Sequence, residues 1–230
     1  MSNARAAEPL GLAQGGRTAF RIVVADDATE AEQYAAEELA STLRKLSGAT
    51  FPVATAPGNG PSIRLRHDPD LGGEEYTLAV AGKDLAIAGG RPRGVLYGVY
   101  GLLEDVLGVR WYTRDCEKVS KQDPLCVPGD LKARVKPRLE YREPYWKEAL
   151  ADGDWAARNR TNSFHAPLTA RHGGKIVFGT FVHTFASILD PARHFARHPE
   201  YFSMVKGKRL SINTQLCLTN PEVLHIAIET

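Results

Sequence analysis

The chain has 230 residues, 43% of them hydrophobic, and 29 lysines and arginines stand against 27 acidic residues for a formal charge of +2. That length buries a sizeable core in one large or two smaller domains, and so small a net charge gives no global field to recruit nucleic acid or an anionic membrane surface. No run approaches the roughly 18 to 20 apolar residues that a helical membrane span needs.

The opening "MSNARAAEPLGLAQGG" lacks the apolar middle of a signal peptide and reads as a disordered leader over residues 1–18 or as a mature end left after cleavage, which leaves the compartment open. Residues 20–25, "FRIVVA", are apolar and β-branched and read as a buried strand. Thr29 and Glu32 then have capping-box spacing. Ala31, Tyr34, Ala35, Leu39, Thr42, Leu43 and Leu46 recur on one face until Gly48, which predicts an amphipathic helix. Short strands follow at "FPVATA" and "SIRLRH", and "EEYTLAVAGKDLAIAGG" reads as a hairpin turning at Gly82-Lys83-Asp84.

A second helix is predicted to start at Pro92 and to bury Val95, Leu96, Val99, Leu102, Leu103 and Val106 before Gly108. Gly94, Gly98 and Gly101 cost roughly 1 kcal/mol each relative to Ala inside a helix, so their stripe is expected to lie directly on a sheet. "VRWYT" reads as a further strand. The composition then changes at "KQDPLCVPGDLKARVKP", a linker that places a boundary near residue 132. Residues 19–132 are thus expected to form an α/β domain with its helices mainly on one face.

Beyond the boundary the rhythm is strand ("LEYREPYW"), helix ("GDWAARNRTNS"), a long loop with histidines and glycines, a helix near "PARHFARH", strand ("TQLCLT") and helix. This order predicts the opening units of a (β/α) barrel over residues 133–230. The last helix starts with Asn220 as N-cap and Pro221 at the first helical position, and it stops within about two turns. The chain is therefore expected to be a fragment.

Three cysteines, Cys116, Cys126 and Cys217, lack CxxC spacing and are odd in number, which fits neither a zinc knuckle nor a disulfide framework. Buried thiols are expected, with a Cys116–Cys126 bridge open for an exported protein. His194 and His198 share a helix face, but "HFARH" lacks a glutamate beside the first histidine and offers no third ligand. No metal and no cofactor is expected. "GGRPRG" fits neither GxxxxGK nor GxGxxG and reads as a tight strand-to-helix turn, and no GxSxG elbow or Ser-His-Asp order is present.

The run "GGRPRGVLYGVYGLLEDVLGVRWYT", followed by "YREPYW", "DWAARNR", "HPEYFSMVKGKR" and "QLCLTNPEV", resembles a group of bacterial proteins catalogued as a domain of unknown function. In that group an N-terminal α/β domain, similar to the non-catalytic domain of α-glucuronidases and of family 20 β-hexosaminidases, precedes a TIM barrel. The resemblance covers residues 20–230. It implies a glycoside hydrolase-like, carbohydrate-active protein, secreted or periplasmic, or else a non-catalytic carbohydrate binder or scaffold.

Glycoside hydrolysis uses two carboxyl groups across the sugar. Glu143, Asp152 and Asp154 are the visible ones. The resemblance implies that the catalytic acids lie on later barrel strands, outside this chain, so the catalytic residues are unknown and the chain alone is expected to be inactive. Asp152 and Asp154 are expected to cap the following helix. Glu143 is expected to orient a sugar hydroxyl or to pair with Arg158 or Arg160. Trp146 and Trp155, with Tyr145, are candidates for the platform under a pyranose ring, against the alternative of core packing. Arg158 and Asn159 in "RNR", His183 and Asn220 complete the expected substrate-binding set.

Overall fold

The structure is a computed structural model that describes residues 7–179 and 184–229. It divides into two compact units, Met1–Val177 and Phe178–Thr230.

The first unit is built on a six-stranded sheet. Strand β1 (Leu10–Ala13) comes first in the chain, and β2 (Arg21–Val24) begins the sheet. Helix α1 (Glu30–Ser47) follows with both capping-box hydrogen bonds, Glu32 N to Thr29 Oγ1 and Thr29 N to Glu32 Oε2. Gly48 ends it at φ 76°, a left-handed conformation that glycine adopts without a Cβ penalty. All seven residues expected on its apolar face are buried.

Strands β3 (Val53–Ala54), β4 (Ser62–His67), β5 (Tyr76–Ala81) and β6 (Asp84–Gly89) complete most of the sheet, whose order is β10-β5-β6-β4-β2-β3. The hairpin turn is one residue shorter than expected, because Asp84 pairs with Ala81 and its carboxylate accepts from Ser62 N at 2.8 Å. That leaves Gly82-Lys83 as a two-residue loop.

Helix α2 (Gly94–Gly101) starts two residues after Pro92 and runs into a π-helical turn, Leu102–Val106. Its glycine stripe lies on the sheet as the spacing predicts. A Cβ on Gly98 would sit 2.7 Å from Ile87 Cγ2, and one on Gly101 would sit 2.3 Å from the Tyr76 hydroxyl. The helix has no exposed face, and all eight of its residues are buried. Ile22, Leu39, Leu43, Ile63, Leu85, Ile87 and Leu103 are each 0% exposed and form the centre of the core.

Three further strand pairings depart from the sequence reading. Strand β7 (Arg110–Thr113) joins a separate hairpin with β8 (Cys116–Lys118) and not the main sheet. The expected leader contains β1, which pairs with β9 (Leu125–Val127) and buries Leu12 at 1% exposure. The expected linker contains β9 and β10 (Lys132–Val135), the latter an edge strand of the six-stranded sheet beside β5. Local composition reported Pro, Gly and charge there, whereas pairing with strands about 50 and 110 residues away orders the backbone. The compact unit accordingly continues past residue 132 to Val177. The three cysteines are free thiols, Cys116 exposed and the other two half-buried.

After β10 the expected strand "LEYREPYW" forms no ladder, and residues 139–146 have no strand pairing. Short helices α3 (Lys147–Ala151) and α4 (Gly153–Arg158) follow, with a 3-10 turn at Ala170–His172.

The second unit contains α5 (Phe185–Ile188), α6 (Pro191–His194), the small hairpin β11 (Met204–Val205) with β12 (Lys208–Arg209), and α7 (Pro221–Glu229). "TQLCLT" contributes only a single bridge, Phe202 with Leu216, where a strand was expected. The unit has its own small core of Leu189, Tyr201, Phe202, Leu216 and Val223. No helix among the described residues is long and apolar enough to cross a membrane.

Candidate functional site

The segment 140–146 is held by side chains in place of a ladder. Asn162, 0% exposed, accepts from Arg142 N at 2.9 Å and donates to Glu140 O at 2.7 Å, so one carboxamide meets the backbone as a neighbouring strand would. Its Nδ2 also donates to Glu74 at 2.8 Å. The Arg142 guanidinium donates to Glu74 Oε2 at 2.7 Å, to the Arg160 and Leu139 carbonyls at 2.7 and 2.6 Å, and to the Tyr97 hydroxyl at 3.3 Å. A half-buried arginine with this many acceptors is a fixed post.

Glu143 finds no arginine. Its Oε2 accepts from the Tyr141 hydroxyl at 2.7 Å and from His165 Nδ1 at 3.0 Å, and its side chain is only 7% exposed. Burial pushes the carboxyl pKa up, but the hydrogen bonds from His165 and Tyr141, with Ser163 close by, outweigh it and hold the pKa below the usual glutamate value. Oε1 is buried without a hydrogen-bond partner, and the Ser163 hydroxyl lies outside hydrogen-bond geometry.

The two expected arginine partners are engaged elsewhere. Arg158 donates to both oxygens of Glu38 on α1 at 2.7 and 2.9 Å, and its guanidinium lies 6.0 Å from the centre of the Trp111 ring. Arg160 pairs with Glu104. These acids sit 120 and 56 residues away, beyond any local pattern.

Of the two aspartates, Asp152 caps α4 as expected, accepting from Trp155 N at 2.9 Å. Asp154 instead accepts from His172 Nε2 at 2.8 Å. Thr169 N donates to Nδ1 of the same ring at 3.1 Å, which fixes the tautomer with the proton on Nε2. His172 is thereby a buried structural histidine, edge-on to Tyr34.

Leu139, Tyr141, Arg142, Glu143, Pro144, Trp155, Asn159 and Thr161 enclose a cleft of about 420 Å³. Trp155 is 8% exposed, with its indole nitrogen buried and unpaired. Asn159 donates to the Trp155 and Trp111 carbonyls at 3.0 and 3.4 Å. Tyr145 and Trp146, next along the chain, are 62% and 55% exposed. Tyr145 adopts φ 49°, unusual for a bulky residue, and its ring lies 5.2 Å from that of His165. A second hollow of about 440 Å³, lined by Gly72, Gly73, Glu74, Glu75 and Arg93 among others, has no aromatic wall.

The sequence reading missed Tyr141, Asn162, His165 and Glu74 as organisers of this region. The "TNS" after "RNR" was the available signal for Asn162, since a polar run that ends a helix is either solvated or buried with partners. Both arginines of "GGRPRG" meet carboxylates, Arg91 on Glu32 at 3.0 Å and Arg93 on Glu74 at 2.9 Å.

In the second unit Asn220 Oδ1 accepts from Glu222 N at 2.9 Å and caps α7. His198, Glu200 and Glu222 bring one potential ligand atom each within 4.8 Å of one another, and His194 is not among them. His183 lies outside the described residues.

Residues 111–230 match the family model of a domain of unknown function, DUF4838. Residues 12–107 match that of domain 2 of glycosyl hydrolase family 20. No curated protein matches the chain. Similar solved structures include a family GH115 4-O-methyl-α-glucuronidase with specificity for decorated arabinogalactans, at 20% identity and TM-score 0.47 over 56% of this chain and 19% of that one. Another is the GH20 β-N-acetylhexosaminidase from Streptomyces coelicolor, at 24% identity and TM-score 0.49 over 68% of this chain and 31% of that one. A third, a mutant Streptomyces plicatus β-hexosaminidase in complex with GlcNAc, has the same identity and coverage at TM-score 0.47. The chain spans less than a third of the length of any of the three.

Proposed function

The chain belongs to the DUF4838 family, and from that membership we propose that it is the N-terminal portion of a glycoside hydrolase-like, carbohydrate-active protein. The observation that carries the reading is the match of residues 12–107 to domain 2 of glycosyl hydrolase family 20, directly before the DUF4838 match. In this reading the sheet-and-helix layer, with β10 as its edge strand, is the non-catalytic N-terminal domain, and the residues after β10 open a barrel domain whose catalytic carboxylates lie outside this sequence.

The cleft supports binding without turnover. Hydrolysis needs a second carboxyl across the sugar, about 5 to 5.5 Å away for retention or roughly 6.5 to 9.5 Å for inversion. Glu143 is the one carboxylate that lines the cleft. Asp152 and Asp154 are held by a helix cap and by His172. The proposed sugar-facing set is Glu143, Trp155 and Asn159 in the cleft, with exposed Trp146 beside it. Arg158 and Asn220 have structural work in this chain, on Glu38 and on α7.

The test is co-sedimentation of the 230-residue chain with a panel of insoluble polysaccharides, alongside hydrolysis of aryl glycosides. Binding without hydrolysis is expected. Retention by no polysaccharide, neutral or acidic, would sink the carbohydrate reading; contaminant-free turnover would show that the catalytic groups lie within the chain.

A further inference from the structure

We propose that the hollow lined by Gly72, Gly73, Arg93 and Lys136, apart from the cleft at Glu143, binds the carboxylate of a uronic acid. The sugar ring in this inference rests on the carbohydrate reading above, and the carboxylate rests on the charges of the hollow. The hollow measures about 440 Å³, within the range of small-molecule sites and roomier than a bare inorganic anion requires. Three carboxylates line it, Glu74, Glu75 and Glu140, and two of them already hold cations. Glu74 accepts from Arg93 and Asn162 on Oε1 and from Arg142 on Oε2, so one carboxylate is shared by two guanidiniums. Glu75 accepts from Arg134 at 2.6 Å and from Gly72 N at 3.1 Å. Five cations thus meet these three carboxylates, since Arg93, Lys136 and Arg138 line the hollow and Arg134 and Arg142 reach the same acids. Asp68 and Asp70 also act on Arg134 but lie outside the lining.

The excess shows as donors with nothing to donate to. Arg93 is 8% exposed, its Nε meets Glu74 and its Nη1 meets the Gly173 and Gly174 carbonyls. Its Nη2 has no partner among the described residues and, unlike the Trp155 indole nitrogen, is not closed to solvent. The part of this buried arginine that meets solvent is the part that lines the hollow. Lys136 and Arg138 are exposed and make no ion pair or hydrogen bond among the described residues. Gly73 N and Glu74 N donate to no group there either, and two consecutive glycines leave these turn amides uncovered. A guanidinium nitrogen, two exposed cations and a pair of backbone amides are all donors, and they match a group that only accepts. A carboxylate is such a group, and its charge is met where a neutral hydroxyl leaves the excess unanswered. Pro137, Leu139 and Ile176 add apolar surface for the C–H bonds of a ring, which acetate or phosphate would leave bare.

The experiment follows the Gly73 and Glu74 amide resonances of the ¹⁵N-labelled chain as methyl β-glucuronide, methyl β-glucopyranoside, acetate and inorganic phosphate are added in separate titrations. The uronide is expected to move both amides with a Kd about tenfold lower than that of the neutral glycoside, which differs from it only at C6. The double variant Lys136→Ala, Arg138→Ala removes two exposed cations that hold no partner in the free chain. It is expected to keep the fold and to weaken the uronide about tenfold. Equal or tighter binding of the neutral glycoside overturns the proposal. A uronide Kd unchanged in the double variant does the same, and if that variant does not fold, Lys136→Gln decides in its place. Acetate as tight as the uronide, or phosphate tighter, makes this a general anion site and overturns the uronate assignment. Movement of the amides by none of the four also overturns it, and the polysaccharide co-sedimentation then tells whether the carbohydrate reading falls too.

Discussion

Two regions of the first unit are held by different forces. The layer from residue 20 to 107 is a sheet under two helices, with Ile22, Leu39, Ile63, Leu85 and Leu103 fully buried between them. The segment from 139 to 177 adds Ala149, Trp155, Ala156, Ala157, Ala166 and Leu168 to that core, but its long side chains are mostly charged or polar. It is held by arginine contacts that cross to the layer: Arg142 to Glu74, Arg158 to Glu38, Arg160 to Glu104, and Arg93 back to the Gly173 and Gly174 carbonyls at 2.9 and 3.3 Å. The difference lies in how each region fails. Apolar packing gives way in proportion to the volume removed, whereas a buried charge network gives net stability only while every partner is present. The cleft is built on the second kind, which fixes the directions of its side chains at the cost of tolerance to change.

The largest effect is expected at Glu74, which serves Arg93, Arg142 and Asn162 together. Glu74→Ala leaves two largely buried guanidiniums without their carboxylate and should cost about 3 to 5 kcal/mol. Hydrogen exchange should show the loss concentrated in residues 139–177, with α1 and the sheet still protected. Equal loss in both regions would break the distinction between them.

A smaller effect is expected on the apolar side. Gly98→Val pushes a branched side chain at Ile87 and Tyr76 and should cost about 1 to 3 kcal/mol by overpacking. A thermal melt checks it, and a neutral result would mean that α2 lies less closely on the sheet than its glycine stripe requires.

Acid sharpens the comparison at the cleft. The Glu143 pKa is depressed in the folded chain, so its contribution to stability is present above the unfolded value of about 4.3 and is lost as pH falls through the folded value. Urea unfolding of the wild type and Glu143→Gln should differ by a constant amount above about pH 5 and converge as pH falls below about 4. A difference that grows on acidification would reverse the sign of the assigned shift.

The smallest effect on stability is expected at Trp146, which is 55% exposed. Trp146→Ala should change stability by no more than about 0.5 kcal/mol while weakening sugar binding by roughly 1 to 3 kcal/mol. Collapsed stability with unchanged affinity would return this tryptophan to a packing role.

What the sequence determined by itself is the layer. The period-3.6 face of α1, the Thr29–Glu32 capping box, Gly48 as stop, the β-branched run at 20–25 and the glycine stripe of α2 are all local signals, and each appears in the structure where its residues stand. Domain type was legible for the same reason. Only the tertiary structure decided that "LGLA" and "LCV" pair across more than 100 residues, that Asn162 takes the place of a neighbouring strand for 140–142, and that Glu143 faces His165 and not an arginine. An ion pair or a buried carboxamide carries no periodicity. Its partner is fixed by the completed packing, so a stretch such as "EYREPYW" reads as a strand from its alternation and becomes a cleft wall once Glu74, Asn162 and His165 are brought to it.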